Sequence, residues 1–184
     1  MKNIIVVLIL VLTLSFVANS MAQDIGLYSV GGRAGILLPE DPWDTGFFIG
    51  ATANLGELTD NLQLHPNITY WSTGYSFEGV DLDLSLSNIQ IGGDVHYYLE
   101  DVEGLFFGGG ISLNFVSAEF ASVNFFTGES ITESSSDTEF GFDILGGYEI
   151  PLGDNTGFVQ ARYNIISNLN TFEIGVGILF DLNR

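Results

Sequence analysis

The side chains with the richest chemistry in this 184-residue chain are two histidines, His65 and His96, and a set of charges scattered among apolar residues. An imidazole acts as base, relay or ligand when a hydroxyl, a carboxylate or a metal lies beside it. These two match no metal-ligand spacing, and the chain has no cysteine to complete one. Arg33 and Arg162, with Asp94, Glu139, Asp143, Glu149 and Glu173, could form either an ion-paired polar network or a charged path for ions. The acidic stretch 117–137 carries Glu119, Glu129, Glu133 and Asp137, which could hold a divalent cation, and Phe120, Phe125 and Phe126, which could touch a partner. A solvated loop is the plainer reading of that stretch. No phosphate-binding loop, nucleophile elbow or pair of catalytic carboxylates is present, so neither enzymatic activity nor a cofactor is expected.

Composition narrows the class. The opening MKNIIVVLILVLTLSFVANSMAQ has one early cation, an apolar run from Ile4 to Val17 and a small-residue site at Ser20-Met21-Ala22. Those features describe a secretory signal peptide over 1–22, leaving 23–184 as the mature domain. Beyond Ala22 stand 23 acidic residues against three arginines and no lysine, a net charge of −20. A nucleic-acid partner is excluded, because phosphate contacts need clustered cations. With 46% hydrophobic residues and 15 Phe the chain is not a disordered acidic tail. No later segment is long enough for a spanning helix, so any membrane insertion must use strands.

The elements that must position the charged residues read as strands. Eight segments alternate apolar and polar residues with a period of two: 27–38, 46–56, 62–71, 87–99, 105–115, 139–150, 158–165 and 171–182. In the last, TFEIGVGILFDL, Phe172, Ile174, Val176, Ile178 and Phe180 share one face, and Thr171, Glu173, Gly175 and Gly177 the other. The connections after the second, fourth and sixth segments are short, and those after the first, third and fifth are longer. Pro66 lacks a ladder donor and predicts a bulge or a rim position.

Alternation alone leaves the apolar face against a protein core or against lipid. The polar face decides in favour of lipid: it carries mainly Gly, Ser, Thr, Asn and Gln and almost none of the surface charge a water-facing sheet bears. Small and amide side chains suit the crowded interior of an eight-stranded barrel. Tyr28, Tyr70, Tyr97, Tyr148, Tyr163 and Phe180 lie near strand ends on the apolar face, as an interfacial aromatic girdle would. The fold class expected is therefore all-β: an eight-stranded antiparallel up-and-down transmembrane β-barrel.

GGRAGILLP, GFFIGATANLG, GLFFGGGISLNF and FGFDILGGYEIPLG resemble the strand texture of the small, porin-like outer-membrane β-barrel domain family of Gram-negative bacteria. Glu173, Gly175, Ile178 and Phe180 are similar to that family's C-terminal assembly signal, although Asp181–Arg184 follow where the family often ends on an aromatic residue. The resemblance implies a cell outer-membrane location, with lipid and the barrel-assembly machinery as partners. Catalytic histidines of small outer-membrane enzymes sit at the outer-leaflet end, whereas His65 and His96 lie near short turns. The function expected is a non-enzymatic envelope barrel with a side-chain-filled polar lumen, in a structural or loop-presenting role whose ligand is undefined. A narrow channel for ions or small solutes is the alternative, followed by a soluble lipocalin-like carrier of an apolar ligand.

Overall fold

The computed structural model describes residues 24–76, 82–123, 130–167 and 169–182. The alternating segments form β1 (Asp24–Pro39), β2 (Gly46–Thr59), β3 (Leu62–Ser76), β4 (Leu82–Tyr98), β5 (Leu105–Val123), β6 (Ser130–Leu152), β7 (Asn155–Ile166) and β8 (Thr171–Asp181). Each strand pairs antiparallel with its chain neighbours, and β1 closes on β8 from Ser29↔Asp181 to Pro39↔Thr171. Closure leaves no free edge around the belt, which is what a sheet surrounded by lipid requires.

The turns after β2, β4 and β6 are tight, with Asn61 (φ 64°), Gly104 (φ 84°) and Gly153 (φ 69°) taking the left-handed backbone conformation. Both described ends of the chain lie on this side. Short turns and termini together mark the periplasmic end of such barrels, so the other four connections face outward.

On the outer side four strands, β3 to β6, run several residues further than the hydropathy pattern reaches. The stretch 117–137, expected as a loop, is paired strand at both ends, with β5 reaching Val123 and β6 starting at Ser130. Phe125, Phe126 and Glu129 lie outside the described residues. The β3–β4 ladder likewise extends to Ser76↔Asp83. These extensions are rich in Ser, Thr and acids; at their base Leu86, Val116 and Ala118 still pack into the lumen, and further out backbone pairing to a neighbour holds them.

At Pro66 the ladder to β4 is unbroken (Pro66↔Gly93), and the irregularity falls on the other side, in β2 between Thr52 and Glu57. The extra residue there lets β2 pass a strand position that has no N–H to offer.

The outer surface of the barrel is apolar. Phe47, Ile49, Ile144 and Val176 are 60–73% exposed, and Ile91, Phe107 and Phe142 lie on the same face. At roughly 25 cal/mol per Å², leaving such a surface in water would cost more than a domain's whole stability. A hydrocarbon environment removes the cost.

Candidate functional site

The lumen is filled by side chains in three layers. Towards the outer end Leu37, Phe48, Trp71 and Leu86 are almost wholly buried, with Trp43 and Leu169 from the flanking connections packed on them. Below them lies a polar layer. Towards the periplasmic end come Phe106, Leu145, Phe158 and Leu179, together with the two histidines.

Glycines on the lumen face make room for the rings. A Cβ on Gly175 would lie 2.4 Å from Phe48 Cζ, one on Gly147 2.5 Å from Phe106 Cζ, and one on Gly177 2.2 Å from Phe158 Cζ. Beside the small and amide side chains expected there, with Asn88, Asn114 and Asn164 buried, the lumen therefore holds large apolar side chains at both ends. An eight-stranded interior must be filled, and a ring over a glycine fills it as well as two mid-sized side chains.

The polar layer is built around two guanidinium groups. Arg162 Nη2 donates to Asp94 Oδ2, its Nη1 lies 3.3 Å from Asp94 Oδ1 and 3.3 Å from Asp143 Oδ1, and its Nε lies 4.0 Å from Glu173 Oε2. Arg33 Nη1 lies 3.5 Å from the same Glu173 oxygen and donates to Gln160 Oε1 at 3.1 Å, while its Nη2 donates to Thr69 Oγ1. The Phe48 ring centroid is 5.3 Å from Arg33 Cζ, a distance that suits a cation–π contact.

Amides complete the layer. Asn67 Nδ2 donates to Asp94 Oδ2 at 2.9 Å, and Gln90 Nε2 donates to both Asp143 oxygens at 3.2 Å. Two cations thus hold three carboxylates in a site almost closed to water. Charge pairing with further hydrogen bonds is the condition under which buried ions are tolerated.

Of the seven residues expected to form the network, Arg33, Asp94, Asp143, Arg162 and Glu173 meet in this layer. Glu149 sits apart towards the short-turn end, where Tyr98 Oη donates to its Oε1 at 2.7 Å. Glu139 stands in register with Asn114, nearer the outer end than Asp143. Gln90, Asn67, Gln160 and Thr69 were missed as members. Their place on the lumen parity of their strands was the signal that could have found them.

His65 and His96 stack at 4.0 Å between ring centroids, and His96 stacks in turn on Phe106 at 4.6 Å. Of the carboxylates, Asp94 lies 4.0 Å from His96 Nε2. Among the described residues no three His, Asp or Glu side chains are placed to hold a metal ion. A cavity of about 10 Å³ lined by Arg33, His65, Asp94, His96 and Arg162 has room for roughly one water molecule.

On the outer face Tyr28, Tyr97, Tyr148 and Phe180 cluster towards the turn end, while Tyr70 and Tyr163 lie towards the loops. All but Tyr28 are 38–48% exposed. In the C-terminal strand Glu173 and Gly175 face the lumen, one in the ion network and the other under Phe48, while Phe180 faces outward.

A closed eight-stranded ring with an apolar exterior and a packed interior defines a small outer-membrane β-barrel. The chain belongs to the outer membrane protein beta-barrel domain family, whose model matches residues 7–180. Its place is the cell outer membrane, in contact with lipid.

Among solved structures it is similar to Ail, the attachment invasion locus protein of Yersinia pestis, at 15% identity and a TM-score of 0.57 over 85% of this chain and 99% of that one. It is similar also to Neisserial surface protein A, at 15% identity and a TM-score of 0.55 over 84% and 97%. A major outer membrane protein from Thermus thermophilus gives 14% identity and a TM-score of 0.52 over 84% and 98%. At these identities the likeness is one of fold. A comparison with curated protein sequences finds no match.

Proposed function

We propose that this protein is a non-enzymatic, non-conducting barrel that presents its outer strands and loops to the surroundings of the cell. The observation that carries this reading is the filled lumen. Two apolar layers enclose a paired ionic layer, and the cavity within it is about one water in size. An ion path needs continuous hydrated space, which the packed cluster of Leu37, Phe48, Trp71 and Leu86 narrows. The histidines stack on each other and His96 on Phe106, and the nearby Tyr98 hydroxyl donates to Glu149 rather than to an imidazole.

Residues 1–22 serve as the cleaved signal, so the mature chain starts at Gln23. Glu173, Gly175, Ile178 and Phe180 are offered to the barrel-assembly machinery, and the exposed aromatic residues anchor the barrel at the two interfaces.

Planar-bilayer recording of the purified barrel tests the closed lumen. No stepwise conductance is expected at neutral pH, and reproducible unitary steps would replace this reading with the channel.

A further inference from the structure

Stacking accounts for the faces of the two lumen histidines but leaves their ring nitrogens unexplained. His65 Nε2 and both ring nitrogens of His96 are buried and meet no hydrogen-bond partner among the described residues, and the same holds for Arg33 Nε and Arg162 Nε. His65 is 2% exposed and His96 6%, so bulk water does not satisfy them. Asp94 Oδ2 stands 4.0 Å from His96 Nε2, beyond hydrogen-bond reach, and is already engaged by Arg162 and Asn67. Buried nitrogens left unpaired cost stability, so a ligand that pairs them is favoured.

These four residues line one cavity. It has about 10 Å³ and lies between the ionic layer and the side chains of Phe106, Phe158 and Leu179.

Volume and charge select what it holds. The space matches one water molecule. A halide is larger and would meet Asp94, while a metal cation would meet Arg33 and Arg162. Water is neutral, accepts from a guanidinium N–H, and can both accept from and donate to imidazole nitrogens.

Access to the cavity differs between the two ends. Leu37, Phe48, Trp71 and Leu86 are packed on the outer side of the ionic layer. On the periplasmic side Thr52 and Glu149 also line the cavity, and both are partly exposed.

We propose that the lumen binds one long-lived water molecule between the histidine stack and the two arginines, and that this water exchanges with the periplasmic side. It supplies the hydrogen bonds that the protein itself withholds from these rings. The proposal rests on the closed lumen argued above, since an open lumen would hold a continuous column of water instead.

The test uses the full mature chain in nanodiscs, labelled with 13C and 15N, and follows magnetisation transfer from water by NMR. The carbon-bound ring protons of His65 and His96 should show transfer with the sign of a bound molecule, and the Trp71 indole N–H should show none. Sodium bromide should leave the ring shifts unchanged. His96→Phe keeps a ring against Phe106 but removes both nitrogens, and the transfer to His65 should be lost. Glu149→Ala should speed the exchange of the water, and Trp71→Ala should not.

Absence of transfer to both rings of the unaltered barrel would overturn the water site and leave the closed lumen standing. Transfer of equal strength to Trp71 would overturn both. Ring shifts that saturate with bromide would assign the cavity to an anion and overturn the choice of water. These three outcomes are read on the unaltered chain and stand even if a variant fails to fold. Undiminished transfer to His65 in His96→Phe would overturn the placement, and faster exchange in Trp71→Ala than in Glu149→Ala would overturn the periplasmic route.

Discussion

Asp94 and Arg162 lie 68 positions apart in the chain yet form a two-point ion pair in the lumen, Nη1 to Oδ1 at 3.3 Å and Nη2 to Oδ2. The same guanidinium reaches Asp143 and Glu173, so β4, β6, β7 and β8 are tied through one side chain. Removing it leaves buried Asp94 and Asp143 without a cation and Glu173 with Arg33 alone. Arg162→Ala should cost about 3–5 kcal/mol, read as a lower temperature for the unboiled-to-boiled gel shift of the folded barrel in detergent. Arg162→Lys should recover only part of this, since an ammonium cannot reproduce the fork. An unchanged transition in Arg162→Ala would refute the network as a stabilising element.

Trp71 is wholly buried beside Leu37, Phe48 and Leu86 in the outer layer. Trp71→Ala should cost about 3–5 kcal/mol through lost packing and the cavity left behind. The ionic layer beneath remains, so the variant should still show no unitary conductance. Steps appearing in Trp71→Ala alone would show that the outer layer is the sole barrier.

The exterior should discriminate lipid from water by depth. Val176 is 60% exposed in the belt, and Val176→Arg should cost about 2–4 kcal/mol and lower the yield of inserted, heat-modifiable protein. Ser134 is exposed on the outer extension of β6, where Ser134→Arg should stay within about 0.5 kcal/mol. Equal tolerance at both sites would contradict a lipid belt across Val176.

Gly177 is required by two neighbours. A Cβ there would meet Phe158 Cζ at 2.2 Å and the Gly32 carbonyl oxygen at 2.7 Å. Gly177→Ala should destabilise by about 1–3 kcal/mol, and trimming Phe158 to alanine should not restore stability, because the backbone oxygen stays. Gly93→Ala serves as the control, since nothing lies within 4 Å of its Cβ position. A Gly93→Ala loss as large as that of Gly177→Ala would point to strand entropy rather than crowding.

Alternation in the chain by itself determined the eight belt strands and the face each residue takes. It put Arg33, Asp94, Asp143, Arg162 and Glu173 on the lumen side and Ile49, Ile144 and Val176 on the lipid side. That information is local, because side chains leave a strand on opposite faces with a period of two whatever the strand pairs with.

The tertiary structure alone decided which lumen residues meet. Arg33 reaches Gln160 across 127 positions only because β1 closes on β8 in one register. It also decided that rings lie over glycines, that the two histidines stack, and that β6 extends past β7. These outcomes depend on strand register and strand length, which are set by pairing between distant segments. No pattern within a single segment records them.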